Sequence, residues 1–333
     1  MKKSGLTKKL IIFTFLVFNA KYMGGTNVTG IHILQKFGFY AKEEPASIYP
    51  FSPVYRVNDA IIKKTQHPME RARRLMTYTT FLKENSVLIV TPALATSNNP
   101  QTIGDDTYVV YPFIEGATYS GTETEIIAAG ELLGKIHALS PTRNTFDLKE
   151  YDVFDFNKDE VTESVEKIAK NAASHHFEMD ELQLKEKLLQ IVSQQDELKS
   201  SGMTSVATPH DFKANNLIYT PEPYLIDPDN AAWVPRIFDL ALALLLFHNE
   251  LTTAPDVPFT PARWQLFIQG YTKSVTFTDV EYAYWQYAVE HVFLDEVMWL
   301  MADVEEDWEN TSQRILFGGL LKILFDTSSY GLG

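Results

Sequence analysis

The sequence predicts an α+β protein of two lobes: a small antiparallel β-sheet lobe with one packed helix, followed by a mostly helical lobe. Three observations predict it. Short strand signals and tight turns are confined to the part before residue 115. Pro112-Phe113-Ile114-Glu115-Gly116 then interrupts the pattern. From Glu123 onward apolar residues recur at helical spacing. A chain of 333 residues is long enough to bury the cores of two such bodies.

Thr26 or Asn27 is placed to cap a helix over 28–37, which Gly38 ends. Short strands are expected at 47–49, 54–57 and 60–64, with Asn58-Asp59 as the tight turn between the last two. A helix fits 68–83, with Pro68 in its first turn. Segments 87–90 and 107–111 read as two further strands. Beyond the interruption, helices are expected near 123–139, 159–171, 178–199, 236–249, 261–273, 278–306 and 312–325, with a hairpin across 217–226 as the exception. The organisation predicted is an N-lobe over 23–115 and a C-lobe over 116–333.

Residues 1–22 stand apart. They hold five Lys and no acid, and an apolar run from Leu10 to Ala20 follows the basic start. That resembles a secretory signal or an anchor, and the run is too short to span a bilayer comfortably. Met23 looks like a natural start. The segment is expected to lie outside the fold, as an extension of the reading frame or a membrane-associating stretch. A cytoplasmic protein is expected for the rest, since the absence of cysteine suits a reducing compartment and excludes a disulfide framework, a thiolate nucleophile and Cys-based metal sites.

The net charge is −14, and residues 23–333 alone carry 24 basic and 43 acidic side chains, a balance of −19. Such a surface argues against a nucleic-acid partner and favours cationic small molecules. Plain solubility would read the same way.

The chemistry lies in His210-Asp211-Phe212-Lys213-Ala214-Asn215-Asn216, followed by an apolar run and Leu225-Ile226-Asp227-Pro228-Asp229. An Asp, an Asn five residues on, and a second Asp after a short hairpin is the order in which phosphoryl-transfer enzymes of the kinase type set their groups. The first carboxylate, Asp211, accepts the proton of the attacking hydroxyl. The Asn216 amide oxygen and Asp227 hold Mg2+ on the nucleotide phosphates. The hairpin brings Asp227 back towards Asn216, which a shared ion requires. Lys213 is placed either to meet the terminal phosphate or to stand in solvent. Asp239, at the start of an apolar helix, reads as structural support that accepts backbone N–H bonds.

In the N-lobe, Ala60-Ile61-Ile62-Lys63 ends a strand with the Lys that such a site needs for the nucleotide phosphates, and Glu70 is the acid available early in the next helix to orient it. Lys64 is the rival, on the opposite face. Ser52, in Phe51-Ser52-Pro53, would contact phosphates by its hydroxyl and by backbone N–H groups. Phe113 and Ile114 would form the adenine wall. Carboxylates and aromatics interleave on the late helices, among them Glu290, Asp295, Glu296, Asp303 and Asp307, as a cationic acceptor would require or as a solvated helical face would show.

These segments together resemble the aminoglycoside phosphotransferase / choline kinase family, from about residue 30 to about 310. The resemblance is carried by S-P-V-Y-R-V (52–57), I-I-K (61–63), Y-P-F-I-E-G (111–116), L-G-K-I-H (133–137), D-F-K-A-N-N (211–216), I-D-P-D (226–229) and F-D-L-A (238–241). It implies the protein-kinase-like bilobal fold and ATP- or GTP-dependent phosphorylation of a hydroxyl group. It also implies that Lys63 binds the phosphates with Glu70 as its partner, that Asp211 is the base, and that Asn216 and Asp227 hold Mg2+. One departure stands out. The family usually places His two residues before the catalytic Asp; here that position is Pro209 and His210 adjoins the Asp. The acceptor implied is a hydroxylated cationic molecule such as an aminoglycoside, with the antibiotic-resistance role of that branch. The alternatives are a metabolic kinase for choline, an amino alcohol or a sugar, and an inactive nucleotide-binding protein. No oligomeric state is implied.

Overall fold

The computed structural model describes residues 28–49, 52–92, 98–251, 254–303 and 305–333. The expected caps Thr26 and Asn27, Phe51 and the segment 1–22 lie outside these. The chain forms two compact units. One comprises the residues up to Glu115 together with Phe146–Leu148 and Tyr224–Asn230. The other comprises Gly116–Thr145, Lys149–Pro223 and Ala231–Gly333.

The first unit opens with α1 (Gly30–Lys36), capped by Thr29, whose hydroxyl accepts from the His32 amide at 3.2 Å. Its sheet contains β1 (Val54–Val57), β2 (Ala60–Thr65), β3 (Gln101–Ile103) and β4 (Asp106–Pro112), all antiparallel, in the order β1-β2-β4-β3. Asn58, at φ 51°, takes the left-handed conformation that a two-residue hairpin between β1 and β2 needs. Strand alternation sorts the side chains. Ala60, Ile62, Tyr108 and Val110 join Ile33 and Leu34 of α1 and Phe37 just after it in one core. Val109 and Tyr111 face the other way, with Val90, Ile114, Tyr224 and Ile226. Helix α2 (Met69–Glu84) buries Ala72, Leu75, Tyr78, Thr79 and Leu82, one stripe at helical spacing.

Two expected strands are absent. At 47–49 the chain turns, because the Ser47 hydroxyl donates to the Tyr49 carbonyl at 2.6 Å and so satisfies locally what a ladder would. At 87–90 only Ile89 bridges, parallel to Leu225.

The second unit is helical, with short strands between. It contains β5 (Ala117–Thr118), α3 (Glu123–Ala138), β6 (Lys149–Glu150), α4 (Lys158–Ser174), α5 (Glu181–Ser193), α6 (Gln195–Ser200), β7 (Ser205–Thr208) and β8 (Leu217–Tyr219). After β9 (Pro223–Leu225), which leads the chain back into the first unit, it continues with β10 (Ala232–Pro235), α7 (Arg236–Leu246), α8 (Pro261–Tyr271), α9 (Asp279–Val292), α10 (Met298–Asp303) and α11 (Thr311–Phe325). Strand β7 pairs antiparallel with β10 and so fixes the chain just before Pro209. Helix α7 is buried on all sides, as its near-continuous apolar sequence requires. Helices α3 and α8 approach so closely that a Cβ on Gly270 would sit 1.9 Å from the Ile127 carbonyl oxygen. The long helix expected over 278–306 is broken by a π-helical turn, Phe293–Val297, and the one over 178–199 breaks at Gln194. No helix among the described residues is long and apolar enough to cross a membrane.

Candidate active site

Two groups of polar side chains stand out, one in each unit. In the first unit Lys63 is central. Alternation along β2 turns it to the face opposite Ile62, and its ammonium donates to both oxygens of Asp227, at 2.7 and 2.8 Å. It also lies 3.1 Å from Asp229 Oδ2. Lys64, the rival, pairs with Asp106 at 2.8 Å on the other face. Burial alone would lower the Lys63 pKa; Asp227 and Asp229 outweigh it and hold the group above its ordinary range. Asp229 is held from several sides. Its Oδ1 accepts from the Tyr111 hydroxyl at 3.0 Å, and its carbonyl accepts from His67 Nε2 at 2.8 Å. Burial would raise its carboxyl, and Lys63 reverses this and holds it below the usual range.

Glu70 is not beside Lys63. It is exposed and pairs with Arg74 one turn along α2, at 2.5 Å, a contact that i,i+4 spacing offers at little entropic cost. Phe113, expected in the adenine wall, is held by the β1–β2 hairpin. Its amide donates to the Asp59 carbonyl at 2.8 Å, and its ring lies under the Arg56 guanidinium, 3.6 Å from the ring centre. Ile114 does join the apolar face formed by Val109, Tyr111, Tyr224 and Ile226. The Ser52 hydroxyl is buried with no hydrogen-bond partner among the described residues, so it remains open to a phosphate oxygen.

In the second unit, the chain after β7 turns through His210 and Asp211, both at positive φ, 53° and 49°. A single 3-10 turn over Ala214–Asn216 follows. The Asn216 amide nitrogen donates to the Asp211 carbonyl at 2.9 Å, which sets the amide oxygen on its other side. Lys213 is buried rather than solvated. It bonds Glu250 at 2.7 Å and lies 3.2 Å from Asp211 Oδ2. Burial raises the Asp211 carboxyl above the ordinary carboxylate value, Lys213 offsets part of this, and Glu250 adds to it. A carboxyl tuned upward is a stronger base once ionised.

Below the loop lies a buried network. Asp239 accepts from His210 Nδ1 at 2.8 Å, His137 Nε2 at 2.9 Å and the Thr208 hydroxyl at 2.9 Å. His137 Nδ1 is hydrogen-bonded to the Tyr271 hydroxyl at 2.7 Å. Asp239 is thus a support, as its position suggested, but through side chains rather than backbone amides. Burial would raise its carboxyl; the bonds from His137 and His210 outweigh it and hold it well below the usual range.

The late-helix acids divide. Asp295 and Glu296, in the π-helical turn, are buried, and both accept from the Tyr151 hydroxyl, at 2.8 and 2.6 Å. Asp307 is buried too. Glu290 pairs with Lys187 at 2.8 Å, and Asp303 with Lys167 at 3.1 Å. Sequence reasoning missed Asp229, Tyr111, His137, Tyr151 and Glu250. Asp229, Tyr111 and His137 lay within quoted motifs, I-D-P-D, Y-P-F-I-E-G and L-G-K-I-H, but spacing alone assigned them no role.

The donor types fit a hard cation and a nucleotide. Among the described residues no three His, Cys, Asp or Glu side chains group into a metal cage. Carboxylate and amide oxygens that share the ion with phosphates are what Mg2+ accepts.

A family model described as a phosphotransferase enzyme family matches residues 51–273, about two thirds of the chain. Among solved structures the chain is similar to a microcompartment-associated aminopropanol kinase, at TM-score 0.61 and 13% identity over 91% of this chain and 99% of that one. It is similar to an amicoumacin kinase in complex with AMP-PNP and Ca2+, at 0.57 and 13% over 98% and 93%. A third is an aminoglycoside phosphotransferase from Alicyclobacillus acidocaldarius, at 0.56 and 12% over 92% and 99%. At these identities the likeness shows the fold, the kinase-like α+β class with a small antiparallel sheet and a helical body, as the sequence predicted. No curated protein matches the sequence.

Proposed function

Since the chain belongs to the phosphotransferase enzyme family and is a kinase of the small-molecule type, we propose that it transfers the terminal phosphoryl group of ATP or GTP to a hydroxyl group of a cationic small molecule of the aminoglycoside kind. The observation that carries the reading is the loop around Asp211. A partly exposed carboxylate with a raised pKa stands beside a buried lysine and an asparagine whose amide nitrogen is already committed. Asp211 takes the proton of the acceptor hydroxyl as its oxygen bonds the terminal phosphorus, and the bond to the bridging oxygen breaks to release ADP or GDP. Lys63 and Lys213 offer their charges to the phosphates, and the Ser52 hydroxyl adds a hydrogen bond. Asn216 and Asp227 would hold Mg2+, which supplies charge neutralisation on the phosphates when bound.

The cationic acceptor is supported by the acidic balance of the chain, 43 Asp and Glu against 29 Lys and Arg, and by the acids buried in the second unit, Asp295, Glu296 and Asp307. Tyr151 bridges two of them into one compact acidic spot, which favours a small amino alcohol as the second reading.

The test is nucleoside-diphosphate release measured with Mg-ATP or Mg-GTP against a panel of aminoglycosides, amino alcohols, choline and neutral sugars. Turnover with a cationic acceptor, lost in Asp211→Asn, is the expected result. Turnover with neutral sugars alone overturns the cationic acceptor, and no nucleotide turnover with any acceptor counts against the kinase assignment.

A further inference from the structure

The site has a lysine for the nucleotide phosphates, and the helix acid expected to orient it is engaged elsewhere. Glu70 belongs to Arg74. The next residue of α2, Arg71, is half-buried, and what the helix presents towards Asp229 is therefore a cation. Burial lowers the Arg71 pKa, and Asp229 opposes that shift by attraction. Two carboxylates in the segment just after β9 meet the ammonium of Lys63, and they differ in how open they are.

Asp227 is the more open one, its side chain 27% exposed against 11% for Asp229. Among the described residues Lys63 is its hydrogen-bond partner. A cation on the phosphates can share that carboxylate. Asp229 has both oxygens engaged, Oδ1 by the Tyr111 hydroxyl at 3.0 Å and Oδ2 facing Lys63 at 3.1 Å. Its carbonyl is held by His67, which lies just past β2. A metal that drew on Asp229 would compete with both the Tyr111 hydroxyl and the Lys63 ammonium, whereas one that drew on the more open Asp227 would compete with Lys63 alone.

From this division, and resting on the kinase reading above, we infer that Asp229 is the positioning carboxylate for Lys63, the role the sequence assigned to Glu70. When Asp227 is shared with a metal, Asp229 keeps the ammonium aimed at the phosphates. Tyr111 and His67 fix Asp229, so the orientation of Lys63 depends on the sheet and the segment just after β9.

The experiment is a double-mutant cycle on nucleotide binding, because an acid that acts through Lys63 has nothing to act on once Lys63 is gone. ADP affinity is measured by calorimetry in the presence of a chelator for wild type, Lys63→Ala, Asp229→Asn and the double variant. Expected are losses of about tenfold for Lys63→Ala and about five- to tenfold for Asp229→Asn, with the double variant within twofold of Lys63→Ala alone. The Mg2+ concentration that half-saturates turnover should stay within twofold of wild type in Asp229→Asn. Tyr111→Phe keeps the carboxylate and removes one of its bonds; it should weaken ADP about threefold in the wild-type background and not at all with Lys63→Ala. This gentler variant decides the matter if Asp229→Asn does not fold. Losses that add in the double variant would overturn the proposal. So would a raised Mg2+ requirement in Asp229→Asn with unchanged ADP affinity, which would make Asp229 a metal ligand. Wild-type protein that binds no ADP, with or without Mg2+, would overturn the kinase reading and this one with it.

Discussion

Asp307 offers a perturbation whose size follows from the structure. It is buried, one of its oxygens has no hydrogen-bond partner among the described residues, and its carboxyl is pushed up to about 7 by burial first and then by Glu250 and Glu306. In the unfolded chain an Asp titrates near ~3.9. Between those two values the native state binds a proton that the unfolded state does not. Stability must therefore fall as pH rises through that window and level off above it. From pH 5 to pH 7 the fall is about 2 units at about 1.4 kcal/mol each, or roughly 3 kcal/mol. Asp307→Asn keeps the shape and never ionises. Its stability relative to wild type should rise by roughly 3 kcal/mol between pH 5 and pH 8. Urea denaturation of both proteins at pH 5, 6, 7 and 8 measures this, and pH effects from all other groups cancel in the difference. Parallel stability curves for the two proteins would refute the reasoning, since they would mean that Asp307 ionises as easily folded as unfolded.

Three further outcomes are expected. Because the Asp211 pKa is raised, the acid limb of the pH–rate profile should lie above the ordinary Asp value of ~4; an acid limb at or below ~4 would remove Asp211 as the base. Asp239→Asn should cost about 3–5 kcal/mol in urea unfolding, since it removes one partner from a buried charged network, and a loss under ~1 kcal/mol would show the network to be dispensable. A cationic acceptor should bind more weakly as salt rises, because the long-range attraction of the protein's acidic balance is screened within roughly 8 Å at physiological ionic strength; a Michaelis constant that ignores salt would point to a neutral acceptor.

Most helices were legible because each has both a cap signal and an apolar stripe. Thr122, Asn157 and Thr278 each begin a capping box, completed by Glu125, Glu160 and Glu281. The short strands were not. β7 and β10 are four residues each, and they pair across more than twenty intervening residues, so neither has a local partner that periodicity could reveal. The face of Lys63 could be read from alternation alone, whereas its partner could not. Glu70 was a candidate by chain position, but the i,i+4 arginine beside it is a local competitor, and Asp229 comes from 166 residues further on. The late-helix acids show the same limit. Spacing gives Asp295 and Asp303 similar surroundings, yet a π-helical turn buries the first while Lys167 meets the second near the surface.

The displaced histidine is the point where departure from the family pattern has a physical resolution. With Pro209 in the usual place of the histidine, the loop reaches Asp211 through two successive left-handed residues, His210 and Asp211. For side chains other than glycine each such residue costs on the order of 1–2 kcal/mol. Something must hold the turn, and the charge on Asp239 does. Burial would keep His210 neutral, but its bond to that carboxylate raises its pKa, and a charge-assisted bond of this kind contributes about 1.5–3 kcal/mol. The same carboxylate takes His137 from α3 and Thr208 from β7, so one anion ties the loop, a helix and a strand together. The left-handed turn at Asp211 and the bond from Asn216 to its carbonyl are therefore set from below, by groups that touch no substrate. Loss of the Asp239 charge should thus lower turnover even where the variant remains folded, since the turn would relax towards right-handed geometry and carry the Asp211 carboxylate with it.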